Sequence, residues 1–190
     1  MKGRESGMPE LDYWQTFFDA QSILRSLVRL DKPSKILEFG SGYGTFTLPL
    51  VHAGHSVIGL DIEEDLVSNL QLKADTEGFK NLKVQVRDFI ADGTGEEDGS
   101  IDHVLLYNIL HIEEPIVILK ETLRILKNGG SASIIHWRKD IPTPRGPSLE
   151  IRPSAEQCKY WALKAGFNKT EDILLGNSAP YHYGIILYKI

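Results

Sequence analysis

Three carboxylates in this chain stand at the ends of short apolar runs: Glu38 in ILEFG, Asp61 in VIGLD and Asp88 in VQVRD. Glu38 leads directly into glycines at alternate positions, Gly40, Gly42 and Gly44, and then into an apolar segment that suits a helix. A buried strand, a tight turn of bare backbone and a helix start let a ligand approach the main chain more closely than any Cβ allows. The pattern predicts exposed amides in that first bend, flanked by carboxylates from adjoining strands. Asp61 follows the start of the turn by about 20 residues, the place from which a carboxylate grips a pair of ribose hydroxyls. Asp88 ends the third run, where a carboxylate can accept from an exocyclic amine. Each has a plainer reading: Glu38 as the cap of a neighbouring helix, Asp61 as an N-cap, Asp88 as the head of a turn. Together, at three strand ends facing one crevice, they favour a nucleotide-type pocket.

The elements that must hold these groups alternate. An amphipathic helix is expected over 11–30, from the helical spacing of Trp14, Phe17, Phe18, Ile23, Leu24, Leu27 and Val28. Strands follow at 35–39, 56–60, 82–87, 101–107 and 131–137, separated by helices after the glycine turn, over 63–77 and over 114–126. Asn128-Gly129-Gly130 reads as the turn into the fifth strand. Ser154 caps a helix to about 165, with Gln157 placed for a capping box, and Gly166 closes it. Strands at 169–175 and 182–189 read as a hairpin that adds an antiparallel strand at the end of the sheet. Strands alternating with helices predict an α/β fold, a doubly wound and mostly parallel sheet with helices on both faces.

The fingerprint E-F-G-S-G-Y-G departs from the dinucleotide pattern, because its third glycine comes one place early and Thr45 occupies the expected position. At these residues the chain resembles the class I S-adenosylmethionine-dependent methyltransferases. The resemblance continues through VIGLDIEEDLV (57–67), VQVRDFI (84–90), IDHVLLYNILHIEEP (101–115) and LRILKNGGSASII (123–135). It implies a Rossmann-like, seven-stranded sheet with the last strand reversed. It also implies S-adenosylmethionine as cofactor and S-adenosylhomocysteine as product. By position it assigns Glu38, Gly40, Ser41, Gly42 and Gly44 to the methionine end, and Asp61 to the ribose with Ile62 against the adenine. Asp88 and Phe89 fall to the adenine edge and face, and Asn108 and Ile109 to the region beside the methyl group.

Methyl transfer from a sulfonium is an in-line displacement that mainly needs alignment, worth up to roughly 7–11 kcal/mol. A hydroxyl or carbon acid needs a base as well. His111, a few residues past the fourth strand, and His136, at the end of the fifth, both open on the active-site side and are the candidate bases. The plainer reading makes them packing or strand-end residues. The acceptor pocket is expected from what is added to the shared core: the N-terminal helix, with Tyr13 and Trp14 reaching inward, and the proline-rich connection 138–153, with Trp137 just before it. That connection carries Arg138, Lys139, Arg145 and Arg152. It reads either as a lid whose Arg145 or Arg152 binds an acidic group of the acceptor, or as a stiffened surface loop with solvated charges.

At 190 residues the length suits one domain, with 1–33 as a helical extension. A formal charge of −5 argues against a protein built to grip nucleic acid. The one cysteine, Cys158, rules out an internal disulfide and a cysteine-cluster metal site, and no histidine spacing suggests a metal. No run reaches membrane-spanning length and no signal core is present, so a cytoplasmic protein is expected, monomer or homodimer, acting on a small molecule. Two other classes remain open: a nicotinamide-dependent oxidoreductase, against which the early glycine and the lack of a Tyr-x-x-x-Lys pair count, and a non-catalytic protein that only binds S-adenosylmethionine.

Overall fold

The central strands are near-continuous apolar runs, as strands covered on both faces must be. In the computed structural model, which describes residues 8–190, the strands are β1 (Lys35–Phe39), β2 (Ser56–Asp61), β3 (Leu82–Val86), β4 (Ile101–Tyr107), β5 (Leu126–Trp137), β6 (Lys169–Ile173) and β7 (His182–Tyr188). They form one seven-stranded sheet in the order β3-β2-β1-β4-β5-β7-β6. The first five pair in parallel and β7 runs antiparallel to both of its neighbours. The strand order reverses between β1 and β4, so the carboxyl ends of those two strands open the crevice where such sheets bind ligands.

The helices are α1 (Leu11–Gln15), α2 (Ala20–Leu27), α3 (Thr47–His52), α4 (Glu64–Glu77), α5 (Pro115–Ile125) and α6 (Ala155–Ala165). On one face α5 and α6 bury Ile118, Leu119, Cys158 and Ala162 against Leu37, Phe39, Val104 and Leu106. On the other, α2 and α3 bury Ile23, Leu27, Leu50 and Val51 against Ile36, Val57, Leu105 and Ile135. Residues alternate between these two cores along each strand, which is how a period-2 element can be apolar throughout. The capping box of α6 forms, with Ser154 and Gln157 satisfying each other's backbone amides, and Gly166 closes the helix at φ +112°.

Three expectations need correction. The single N-terminal helix over 11–30 is two helices. Asp19 breaks it, because its carboxylate caps α2 by accepting from the amide and hydroxyl of Ser22, at 3.1 and 2.6 Å. The break also turns Phe17 and Phe18 to different partners, Phe17 onto Trp137 and Tyr181, Phe18 onto Phe46 and His182. The last strand, β7, is reversed as expected, but it is not at the end of the sheet: it inserts between β5 and β6, leaving β6 at the edge. The Asn128-Gly129-Gly130 turn lies within β5, where the register against β4 jumps from Ile101↔Leu126 to His103↔Ser131. Gly129, at φ +79°, donates to the Lys189 carbonyl there, so the local chain is a bulge in a continuous ladder.

Candidate active site

The crevice over β1 and β4 widens into a cavity of about 460 Å³, within the usual range for small-molecule sites. Its walls include Glu38, Gly40, Ser41, Asp61, Ile62, Asp88, Phe89, Asn108 and Ile109 from the strand ends. Gly42 and Gly44 are not in the wall. Gly44, at φ +77°, lies where a Cβ would stand 2.5 Å from Leu70 Cδ1, so its bareness serves the approach of α3 and α4 to the turn. The amides of the turn are not exposed either. Those of Gly40 and Ser41 both donate to the Leu60 carbonyl, at 2.7 and 3.0 Å, and that of Gly42 donates to Asp61 Oδ2 at 2.8 Å. What the start of the bend offers a ligand is bare Cα surface and side chains, because the Gly40, Ser41 and Gly42 N–H groups tie it to β2.

Asp61 therefore does two jobs. Its Oδ1 accepts from the Glu63 amide at 3.1 Å and its Oδ2 from Gly42, which leaves each oxygen a further lone pair toward the cavity. Burial raises its pKa while the backbone amides oppose that rise. Asp88 does head a turn, with Oδ1 accepting from Ile90 and Ala91, and its neighbour Phe89 packs edge-on against Phe39. Glu38 is 2% exposed and accepts from the Thr47 hydroxyl. Burial pushes its pKa up to about 8, against the Thr47 hydrogen bond and with help from nearby Asp61. Among the described residues, Ser41 Oγ and both side-chain polar atoms of Asn108 are buried without a hydrogen-bond partner. Asn108 also holds φ +57°, a conformation few non-glycine residues adopt and one that accumulates at ligand sites.

The added segments, with residues at the ends of β4 and β5, complete the cavity. Trp14, Trp137, His111, Arg145, Gly146, Pro147 and Ile151 contribute to it. Trp14 is oriented by its indole N–H, which donates to Thr45 Oγ1 at 3.2 Å. Gly146, at φ +118°, lets connection 138–153 lie on Trp137, since a Cβ there would stand 2.9 Å from that ring. Arg152 does not face the cavity. It is 5% exposed and donates to the carbonyls of Arg138, Arg145 and Pro147 and to the Thr143 hydroxyl, so it fastens the connection from beneath. Tyr13 is half exposed outside the cavity, edge-on to Phe17. His111 lines the cavity, and its Nδ1 lies 3.3 Å from Nε2 of His136, which is fully buried behind it. Burial, together with His111, holds the His136 pKa well below the usual imidazole value.

Residues 36–130 match the family described as "Methyltransferase domain". The chain belongs to the class I S-adenosylmethionine-dependent methyltransferases. It is 29% identical to a ubiquinone biosynthesis O-methyltransferase of Ruegeria sp. (strain TM1040), over half of this chain and 38% of that one. An uncharacterized methyltransferase-like protein of Schizosaccharomyces pombe is 32% identical over 60% of this chain and 43% of its own. The matches thus span about four-tenths of these curated relatives. A S-adenosylmethionine-dependent methyltransferase from Aquifex aeolicus superposes with a TM-score of 0.77 over 92% of both chains at 22% identity, a likeness of fold.

The residues of this cavity fit S-adenosylmethionine. The unpartnered Ser41 hydroxyl and Asn108 amide belong to residues that line the cavity, and a zwitterionic amino-acid end needs both donors and acceptors. Several contributors to the cavity are not evident from the sequence pattern. Thr47 fixes Glu38. Gly59, inside β2, makes room for Ser41, since a Cβ would stand 2.9 Å from that side chain. Arg87 lines the wall and holds the following loop through the carbonyls of Gly93 and Asp92. Only Gly59 left a signal, a glycine within an apolar strand, which marks a close approach. Among the described residues no group of histidine, cysteine and carboxylate side chains could hold a metal, and no helix is long and apolar enough to cross a membrane.

Proposed function

We propose that this chain works as one methyltransferase domain that methylates a small molecule. The acceptor would be held between Trp14, Trp137, His111 and Arg145, with connection 138–153 acting as a lid. The observation that carries this reading is the mixed lining of one cavity, in which carboxylates and unpartnered amide and hydroxyl groups occur together with aromatic rings, an imidazole and an arginine. In this reading the first set makes a cofactor end and the second an acceptor end. At the first end, Asp61 accepts from the ribose hydroxyls, Ile62 and Phe89 sandwich the adenine, and Asp88 accepts from its amine. Glu38, Ser41 and Asn108 hold the amino-acid portion, with the Gly40 backbone close beneath it. When bound, S-adenosylmethionine supplies an activated methyl group on sulfur.

At the second end the chain's own residues align the acceptor and exclude water, which is most of what the displacement requires. One relative of the sequence is an O-methyltransferase by name. A hydroxyl acceptor suits His111, which as general base takes the proton the oxygen loses. Calorimetric titration with S-adenosylmethionine, S-adenosylhomocysteine and NADH tests the first end. Methyl release over a panel of phenols, amines and thiols tests the second. Binding of NADH alone, or no release with any acceptor, would overturn the reading.

Two further results are expected. The Arg145→Ala variant should raise KM for an acidic acceptor by roughly ten- to a hundredfold, the worth of one charge-assisted hydrogen bond, with cofactor affinity unchanged. An unaltered KM would remove Arg145 from the acceptor site. The second concerns pH. Glu38 is protonated in the ligand-free protein until about pH 8. A cationic ligand beside it favours the carboxylate, so binding releases a proton and S-adenosylmethionine affinity should rise with pH toward about 8, by at most tenfold per unit. The stability of the ligand-free fold runs the other way. The raised pKa contributes fully below the ordinary value of 4.5, and that contribution is lost as pH rises toward about 8. Glu38→Gln should flatten the binding curve, and a curve that is already flat in the natural protein would refute the linkage.

A further inference from the structure

The two histidines behind the acceptor end form a directional pair. His136 Nδ1 lies 3.5 Å from the Trp137 carbonyl and its Nε2 lies 3.3 Å from His111 Nδ1. A carbonyl oxygen only accepts, so this contact favours the hydrogen on His136 Nδ1. The titratable and charged groups around His136 are His111, His182, Arg152 and Tyr183, none of them a carboxylate. A fully buried imidazole in that company is neutral, so its Nε2 is an acceptor. The hydrogen between the rings therefore belongs to His111 Nδ1, and His111 carries its lone pair on Nε2.

We propose that His136 is a positioning residue that fixes His111 in the Nδ1–H tautomer, so that His111 Nε2 receives the proton of a hydroxyl acceptor. This rests on the reading of His111 as the base and deepens it, because it specifies the methylated atom as a hydroxyl oxygen. The step balances without another reactant. The O–H bond breaks toward His111 Nε2, the oxygen forms the new bond to the methyl carbon, and the carbon–sulfur pair stays on sulfur. The positive charge that was on sulfur ends on His111. There the Nδ1–H donates to His136 Nε2, so a neutral imidazole fills the orienting place that a carboxylate takes in a serine–histidine pair.

The test is two-bond ¹H–¹⁵N correlation of the histidine rings in uniformly labelled, ligand-free protein, with signals assigned from His111→Ala and His136→Phe. The natural protein should show both rings as Nδ1–H tautomers, with His136 neutral throughout the range in which the protein stays folded. His136→Phe should move His111 toward the Nε2–H form, and His136→Asn, whose amide oxygen can accept from Nδ1–H, should restore it. Where a phenol is turned over, His136→Phe should lower kcat roughly ten- to a hundredfold without changing KM for S-adenosylmethionine, and His136→Asn should recover most of the loss. An Nε2–H tautomer on His111 in the natural protein overturns the proposal, whether or not either variant folds. So does an unchanged His111 tautomer in a folded His136→Phe variant. A protein that binds no S-adenosylhomocysteine would end the proposed function; a wrong tautomer in one that binds it ends this inference alone.

Discussion

Asp61→Ala should weaken S-adenosylhomocysteine binding by roughly 10²–10⁴-fold. The carboxylate is assigned two charge-assisted hydrogen bonds to the ribose, each worth about 1.5–3 kcal/mol, and about 1.4 kcal/mol is a factor of ten. It also orders the pocket it belongs to. The Gly42 and Glu63 amides donate to its two oxygens, and both lose their partner in the variant, so the glycine bend and the start of α4 loosen together. Asp61→Asn separates these contributions. Its oxygen can keep the Glu63 amide, but its NH₂ faces the Gly42 amide, donor against donor, and one of the two ribose acceptors is gone. An intermediate loss, about tenfold or more, is expected there. Calorimetry measures both, with thermal unfolding as the control for folding. Unchanged affinity in a folded Asp61→Ala protein would show that the ribose is held elsewhere and would dismantle the cofactor reading of this crevice.

The legible part of this protein is what local pattern dictates. Strand ends at Phe39, Asp61 and Tyr107 fall where apolar runs stop, and β4 could be bounded to the residue. Gly78 and Gly166 close their helices in the left-handed region, as C-terminal glycines do. The carboxylates at the strand ends were legible as a set, because parallel strands all present the same end to one crevice. Less legible was whatever depends on which atoms meet across the sheet. Nothing in the sequence distinguishes Arg145, whose segment lines the cavity, from Arg152, whose guanidinium is enclosed by carbonyls five to fourteen residues away in sequence. The apolar spacing over 11–30 runs on through Asp19, although a short acidic side chain three residues before Ser22 is also a cap. The alternate glycines were read as one device. In the fold they divide: Gly40 faces the ligand side, while Gly42 and Gly44 permit close approach of Met8 and of Leu70 with Leu48.

That division makes Gly44→Ala the sharpest stability test. At φ +77° an alanine is strained, at about 1–2 kcal/mol, and its Cβ would stand 2.5 Å from Leu70 Cδ1 and 3.2 Å from Leu48 Cγ, an overpacking that costs about 1–3 kcal/mol more. The sum, roughly 3 kcal/mol, should lower Tm by about 6–12 °C in a chain of this size. Gly54→Ala is the matched control: its φ of +87° imposes similar backbone strain, but nothing lies within 4 Å of the new Cβ. The difference between the two variants therefore isolates the contact between the bend and the side chains of α3 and α4. Because α3 carries Thr47, which holds Glu38, relief of the clash by outward movement of α3 should also weaken S-adenosylhomocysteine binding in Gly44→Ala and leave it intact in Gly54→Ala. Equal losses of stability in the two variants would mean that Leu70 and Leu48 yield freely. The early third glycine would then owe its place to backbone conformation alone.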